Sequence, residues 1–512
     1  MALANFFDKT AFGIAQVLHG GDTDSFSERL HAHRICVRYS SITVTRREGI
    51  ALLDLLTRLL TRLYPQVRFL CTDQAELPVS LKLMELARSI NPAIECAYEG
   101  EDTIVITVGP EVPDATGAQQ FFTGSDRWVG YFSTGLPQPC NDSDNPFGAG
   151  LAACLTAANV FRFVFRDKLS AYALDGDLAF SVFDYSVNEE VKQGPLLRKV
   201  RFEDTILVGL GAIGNGTAWA LKHLPIKGTL SFVDPEIIAL SNLQRYILAT
   251  QRDVGKPKAD HLGDHLHGSG LGVACYTCSW QTFLNKRGNW SLPLVGAALD
   301  SAADRIAVQA SLPQKVLNAW TQREQLGISR HVDFVENACL ACLYLPSAPR
   351  PSLSEEIAAS LNIPHLERDM VRRYLADRLC IDELLIQVVA GANHISAEEL
   401  RPFVGKSMEA FYSEVVCGGV FMRLTGNVSS TSEIHVPSAF ESALAGIFLA
   451  AELYKAAAGV EQSSLANTTK INLIRPITIY TLDHAPKDQT GRCICRDSAY
   501  LVAYRRKWEG HD

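Results

Sequence analysis

The stretch TILVGLGAIGNGTAW, Thr205 to Trp219, constrains the fold of this chain more than any other. An apolar, strand-like run, Ile206 to Val208, drops into Gly209, Gly211, Gly214 and Gly216 and continues as a helix-like run from Thr217. Bare turns of this kind let backbone N–H groups approach an anion at the start of a helix, where the dipole favours negative charge. The pattern reads as the opening of a strand–turn–helix unit with a phosphate site. By itself it admits NAD, FAD or ATP, and also a tight turn with no ligand.

At 512 residues the chain predicts two to four domains. Within residues 34–165, ICVRYSS, VRFLCT, TIVITVG and WVGYFST read as strands, and EGIALLDLLTRLLTRLY and PVSLKLMELARSI as helices. That alternation implies a parallel sheet covered by helices, but no glycine fingerprint follows its first strand. A second such unit begins at Val200 with the glycine stretch. AGLAACLTAANVF (Ala149–Phe161) lies on SALAGIFLAAELY (Ser442–Tyr454) without a gap, with Leu, Ala, Ala and Ala matching. Either two buried small-residue helices share composition, or the chain is a fused pair of similar units. The expected class is α/β, two Rossmann-like doubly wound units with a helical insert and a zinc-tied C-terminal segment. The expected domains are 1–195 (without a phosphate loop), 196–345 (with it), 346–432 (helical insert) and 433–512 (return to the second unit). Long inserts in compact domains are usually functional.

Net charge of −8 leaves no overall basic surface for nucleic acid, and 47% hydrophobic with 20% charged residues places the chain among globular proteins. The longest apolar runs, Gly148–Phe161 and Ser442–Ala451, are too short or too interrupted for a span of ~20 residues. The start, MALANFFDKTAFG, has no basic residues followed by an apolar core, so a cytoplasmic location and no membrane partner are expected.

The residues after the second strand bear on the choice of nucleotide. Asp234, in SFVDPE, stands where dinucleotide folds place the acid that takes ribose hydroxyls, which does not separate NAD from ATP. SNLQR then supplies Asn242 and Arg245, and VGKPKAD supplies Lys258 beside Lys256. Cations have most to do where a triphosphate must release pyrophosphate and growing charge needs neutralising, which favours ATP chemistry. In ALDSAADR, Asp300 ends an apolar strand with Arg305 five residues on. At that end of a doubly wound sheet it reads as a holder of Mg²⁺ on the triphosphate, or as a helix-capping Asp.

In this order GLGAIGNG, VDPEIIALSNLQR, DVGKPKAD and ALDSAADR resemble the ubiquitin-activating and ThiF/MoeB adenylation superfamily, over about 205–345 and more loosely 410–500. The resemblance implies ATP-dependent adenylation of the C-terminal carboxylate of a ubiquitin-like protein. By motif position Asp234 would bind ribose, Arg245 and Lys258 the phosphates, Asp300 the magnesium, and Asn242 would line the same site. Tyr246 departs from the Gln that often follows the Arg. A glycine carboxylate is already a nucleophile at neutral pH, so such a site needs alignment and charge neutralisation rather than a general base. The two-half layout in one chain resembles the activators of bacterial ubiquitin-like antiphage operons, an internal pseudo-dimer that further homo-oligomerisation could extend.

Thirteen cysteines in a chain with no evident leader suggest thiol or metal chemistry before disulfides. Cys339 and Cys342 in ACLACLY and Cys493 and Cys495 in RCICRD read as a tetrahedral thiolate Zn²⁺ site, although the second pair is CxC where family members have CxxC; free buried thiols are the alternative. Cys275 and Cys278 lie three apart on a strand-like run and point to opposite faces, so they do not read as a site. In the resembled family a cysteine on the loop before the closing helix attacks the adenylate and carries the cargo as a thioester. Cys417, before Gly418 and Gly419 and near Lys406 and Arg423 in sequence, takes that place; a buried core thiol is the bland reading. The 75 residues from Cys342 to Cys417 exceed the short loop of sulfur-carrier activators, and favour hand-off to a ubiquitin-conjugating-like enzyme. The rival readings are adenylation that passes to sulfur, an NAD-dependent oxidoreductase, and a scaffold with a degenerate site.

Overall fold

The computed structural model describes the chain except residues 1–2, 74–76, 112–116, 171, 323–324, 346–351, 364–367, 418–419, 421–435, 462–464, 478–479 and 511–512. Residues 1–4, 31–345 and 439–512 form one compact unit, and 5–30 with 346–438 form another. Residues 346–438 of the second unit take in the segment 346–432 that the sequence sets apart as an insert. Residues 5–30, by contrast, group with that insert and not with the first sheet. Local ties explain it: Val436 N–H donates to Gln16 Oε1 at 2.8 Å, and a Cβ on Gly13 would stand 3.2 Å from the Val436 carbonyl. A core around Ile357, Leu361, Leu385, Ile386, Val389 and Phe411 holds the rest of this helical unit.

The larger unit carries two sheets. The first contains β1 Ile35–Tyr39, β2 Val67–Cys71, β3 Ile104–Val108, β4 Gln119–Asp126, β5 Val129–Ser133 and β6 Leu178–Ser181, in the order β2-β1-β3-β4-β5-β6. The second contains β7 Val200–Val208, β8 Ile226–Val233, β9 Leu271–Tyr276, β10 Leu294–Ala297, β11 Lys315–Gln322, β12 Gln325–His331, β13 Thr468–Ile471 and β14 Tyr480–Asp483, ordered β14-β13-β12-β11-β10-β7-β8-β9. Central parallel strands are covered on both faces, which is why β3, IVITV, is apolar but for Thr107 and buried throughout.

The two sheets repeat one design. In the first, β1 pairs in parallel with β2 and β3, β3 with β4, and then β5 and β6 return antiparallel. In the second, β7 pairs in parallel with β8 and β10, β10 with β11, and β12 and β13 return antiparallel. Long apolar helices, Phe147–Val164 and Ala439–Ala458, precede β6 and β13 respectively, so the 149–161 and 442–454 segments occupy equivalent places. Phe147–Val164 is long and apolar enough to cross a bilayer, contrary to the expectation of interrupted runs; 94% of it is buried in the core. A helix hydrophobic all round is one covered all round.

Glycines let these helices approach. A Cβ on Gly216 would stand 2.6 Å from the Ala443 carbonyl oxygen, and one on Gly446 2.2 Å from that of Ile213. A buried polar cluster adds specificity between the halves: Glu452 Oε1 accepts from Tyr185 Oη at 2.7 Å and from Arg330 at 2.8 Å. Burial pushes the Glu452 carboxyl up, but Arg330 and Lys455 outweigh it and hold it at about 2.

Histidines also meet this junction. Burial pulls His265 down to about 3, and lowers His261 and His223, with Arg58 of the first half opposing protonation of all three and Asp54 favouring it at His265 and His223. Asp253 and Asp264 favour the charged form of His261, while Lys256 and Lys222 disfavour that of His261 and of His223 and His265 respectively. Below about pH 6.5 the unfolded chain binds more protons here than the folded chain does, so stability is full above that pH and falls as pH drops, by up to about 1.4 kcal/mol per pH unit for His265. Urea midpoints measured from about pH 7.5 to about pH 4.5 should fall in the wild type and fall less steeply in His265→Gln; equal slopes would refute the assignment.

Candidate functional site

Gly209 closes β7 at φ +86, donates to the Val233 carbonyl at 3.1 Å, and leaves no room for a side chain, since its Cβ would stand 2.5 Å from the Ala298 oxygen. Gly211 is the N-cap of the helix Ala212–Lys222, whose first N–H groups lack helical partners. Gly214 packs on the turn itself, its Cβ position 2.8 Å from the Gly209 oxygen, and Gly216 faces the long helix Ala439–Ala458. The four glycines thus divide into two that shape the turn's open end and two that pack it.

Asp234 sits directly beyond β8, buried at 5% exposure. Its carboxylate accepts the Leu210 N–H at 2.7 Å and the Glu236 N–H at 2.9 Å, which locks this acid to the glycine turn. Burial raises its pKa; Lys258 and the two backbone donors pull the other way. Asn242 Oδ1 accepts the Ala239 N–H at 2.9 Å, fixing the short turn Leu240–Gln244 that presents Arg245.

The cations converge on a residue that the sequence marks only as a departure from the motif. Tyr246 is 4% exposed, and its hydroxyl comes 3.2 Å from where a Cβ on Gly211 would stand. The Arg245 guanidinium lies 5.7 Å and the Lys258 ammonium 5.3 Å from the centre of its ring. Lys258 opens the helix Lys258–Leu266 and pairs with Glu236. Burial pulls its pKa down, but Tyr246, Asp234 and Glu236 together raise it above the usual lysine range, so the ammonium stays charged. Lys256 pairs instead with Asp253 at 2.9 Å. Glu236 is a further site residue that motif position does not single out; its place two residues after Asp234 was the available signal.

Asp300 is exposed, three residues beyond β10, and β10 is the parallel neighbour of β7, so it stands at the same sheet end as the glycine turn. It is not the helix cap: Ser301 Oγ accepts the Asp304 N–H at 3.0 Å and starts the helix Ala302–Ala310. Arg305 bonds the Leu299 carbonyl and donates to Asn318 Oδ1 at 3.0 Å, its guanidinium 4.9 Å from the Tyr344 ring, and so braces the turn that carries Asp300.

Cys339, Cys342, Cys493 and Cys495 offer sulfurs all within 4.8 Å of one another. Individual separations are 3.5 Å for Cys339 to Cys493, for Cys342 to Cys493 and for Cys342 to Cys495. A tetrahedral zinc with Zn–S near 2.3 Å places its sulfurs about 3.8 Å apart, so the four thiols fit that ion, CxC spacing included. Hydrogen bonding with Cys339 pulls Cys342 toward thiolate, while Cys339 is pushed up. Cys275 lies on β9 and is exposed, whereas Cys278 lies two residues beyond the end of β9 and is buried, so the two do not share a strand as the sequence suggested. Cys417 ends a π-helical turn, Ser413–Cys417, a geometry frequent at functional sites; its side chain, Gly418, Gly419 and Arg423 lie outside the described residues. Lys406 is paired with Glu414.

A glycine turn on a parallel sheet, a buried acid locked to it and two converging cations define an α/β protein of the nucleotide-binding kind. Residues 187–493 match the ThiF family, and residues 39–166 match Prokaryotic E2 family C. The chain belongs to the ThiF family and is an adenylating, E1-like enzyme, a type that works with ATP and magnesium. It is 40% identical over 509 residues to the uncharacterized protein y4jF of Sinorhizobium fredii, covering 99% of this chain and 98% of that one. Among solved structures, E. coli MccB with MccA-N7isoASN is similar at TM-score 0.37 and 12% identity, over 57% of this chain and 67% of that chain. E. coli MccB with AMPCPP and MccA is similar at TM-score 0.34 and 12% identity, over 57% and 65%.

The first half lacks the turn. A helical turn, Ser41–Val44, stands at the end of β1, and Thr43 Oγ1 donates to the Val108 carbonyl at 2.8 Å. Its Ser41 N–H still donates to Asp73 at 3.0 Å, as Leu210 donates to Asp234, both two residues beyond their strands.

Proposed function

We propose that the chain adenylates the C-terminal carboxylate of a ubiquitin-like protein and then carries it as a thioester on Cys417 for transfer to a ubiquitin-conjugating-like enzyme. The observation that supports this most is the meeting of Gly211, Arg245 and Lys258 at the Tyr246 ring, beside Asp234. A carboxylate oxygen of the tail attacks the α-phosphorus, the bond to the β-phosphate oxygen breaks, and pyrophosphate leaves with the charge that Arg245 and Lys258 neutralise. Asp300 would hold magnesium with the triphosphate, and the ion would supply further neutralisation when bound. The Cys417 thiolate then attacks the acyl carbon and AMP leaves. The separate helical unit that contains Cys417, and the match to Prokaryotic E2 family C, favour conjugation over sulfur transfer. A cytoplasmic, reducing location suits this thiol chemistry.

Exchange of labelled pyrophosphate into ATP tests the reading. Wild-type protein should catalyse exchange only with a ubiquitin-like partner ending in a free carboxylate, and Asp300→Ala should lose on the order of 100-fold. Cys417→Ala should keep exchange and lose a covalent adduct that thiols release. Absence of exchange with every such partner, or an unaffected Asp300→Ala, defeats the proposal. A thiol-sensitive adduct surviving in Cys417→Ala removes Cys417 from its role.

A further inference from the structure

The segment just after Arg245 is held from the other half of the unit. Arg62, beyond the helix Arg47–Leu60, is 2% exposed. Its Nη2 donates to the carbonyls of Tyr246 and Ala249, both at 2.7 Å, and its Nη1 to that of Arg58 at 2.6 Å. Arg58 in turn donates to the Ile247 carbonyl at 3.1 Å and is aimed by Asp54 at 2.9 Å. Asp54 also accepts the indole N–H of Trp219 at 2.9 Å, from the helix that the glycine turn begins. On the other side, Asn215 Oδ1 accepts the Leu248 N–H at 3.2 Å while its amide donates to the Gly211 carbonyl at 2.9 Å.

Irregular buried backbone needs donors for its carbonyls, and the planar fork of arginine serves two at once. Burying a guanidinium is costly, and an arginine kept only for packing would be expected to sit against a carboxylate. Each of these Arg62 bonds runs to a carbonyl instead, and the Tyr246 oxygen belongs to the residue whose ring gathers Arg245 and Lys258. We propose that Arg62 is a positioning residue of the nucleotide site: the first half, without a phosphate turn of its own, sets the cation-bearing loop of the second. This rests on the adenylation reading above.

The test compares wild type with Arg62→Gln and Arg62→Lys in the full chain. Amide hydrogen exchange in ligand-free protein should speed at least about tenfold across residues 244–251 in Arg62→Gln, with β3 and β10 still protected, and calorimetric ATP affinity should fall by a similar factor. Arg62→Lys, which keeps the charge and donors but not the planar fork, should fall between. Should Arg62→Gln fail to fold, Arg58→Gln removes the Ile247 bond together with the Asp54 ion pair, leaves both Arg62 bonds to Tyr246 and Ala249, and should show the same pattern more weakly. Unchanged exchange in 244–251, or a loosened segment with unchanged ATP affinity, overturns the proposal while leaving the adenylation reading intact. Wild-type protein that binds no ATP overturns the adenylation reading, and this inference with it.

Discussion

Lys258→Ala lowers ATP–pyrophosphate exchange by about 10²–10³-fold, chiefly in kcat, because the lost cation meets charge that grows as pyrophosphate departs. The fold should survive. The partner left behind, Glu236, has a side chain 67% exposed, so water replaces the ammonium at little cost. Asp234 is the residue that feels the loss within the protein, since Lys258 is the main influence lowering its pKa against burial. Lys258→Arg keeps the charge but not the compact fit over the Tyr246 ring, and should retain part of the rate. Steady-state exchange at saturating and limiting ATP, with thermal melts as a folding control, decides the matter. A Lys258→Ala enzyme within about threefold of wild type would mean that the site does not stabilise the leaving group here.

Replacing Cys339 and Cys493 together by serine abolishes metal binding and frees the C-terminal segment. Structural zinc contributes roughly 10–16 kcal/mol in small zinc-folded peptides, an upper bound for a tail that has other holds. Those holds are the Phe334–Tyr504 stack, with ring centres 5.1 Å apart, and the Trp508 indole donating to the Leu312 carbonyl at 2.9 Å. Both sit in the same small core as the cysteines. Wild-type protein should carry about one zinc per chain, and a chelator should release it together with protease sensitivity in the helix Ser498–Trp508, which the double variant shows from the outset. Metal-free wild-type protein whose tail resists protease as well as before would refute the tie.

Much of this site was legible as local order. The strand-to-helix passage at Val208–Ala212 needs glycine because the backbone must turn at positive φ beneath Ala298, and only glycine tolerates both demands. Asp234 at a strand end, Asp300 after an apolar strand and the two cysteine pairs are likewise features of short segments, where chemistry and spacing are written side by side. The gapless match of the two small-residue helices was a longer-range signal, and the common strand order of the two sheets gives it a structural meaning.

Other features depend on residues distant in sequence. Residues 5–30 read as the start of the first sheet domain because neighbours in sequence are usually neighbours in space, whereas Gly13 and Gln16 find Val436. Tyr246 looked like a local departure from a motif, and its significance lies in bringing Gly211, Arg245 and Lys258 to one ring. Arg62 stands 184 positions from the carbonyl it holds. The sequence alone determined which groups could meet a phosphate, since that comes from residue type and local backbone freedom. Only the tertiary structure decided which of them meet, because burial and hydrogen-bond partners are settled by packing between segments that no local pattern connects.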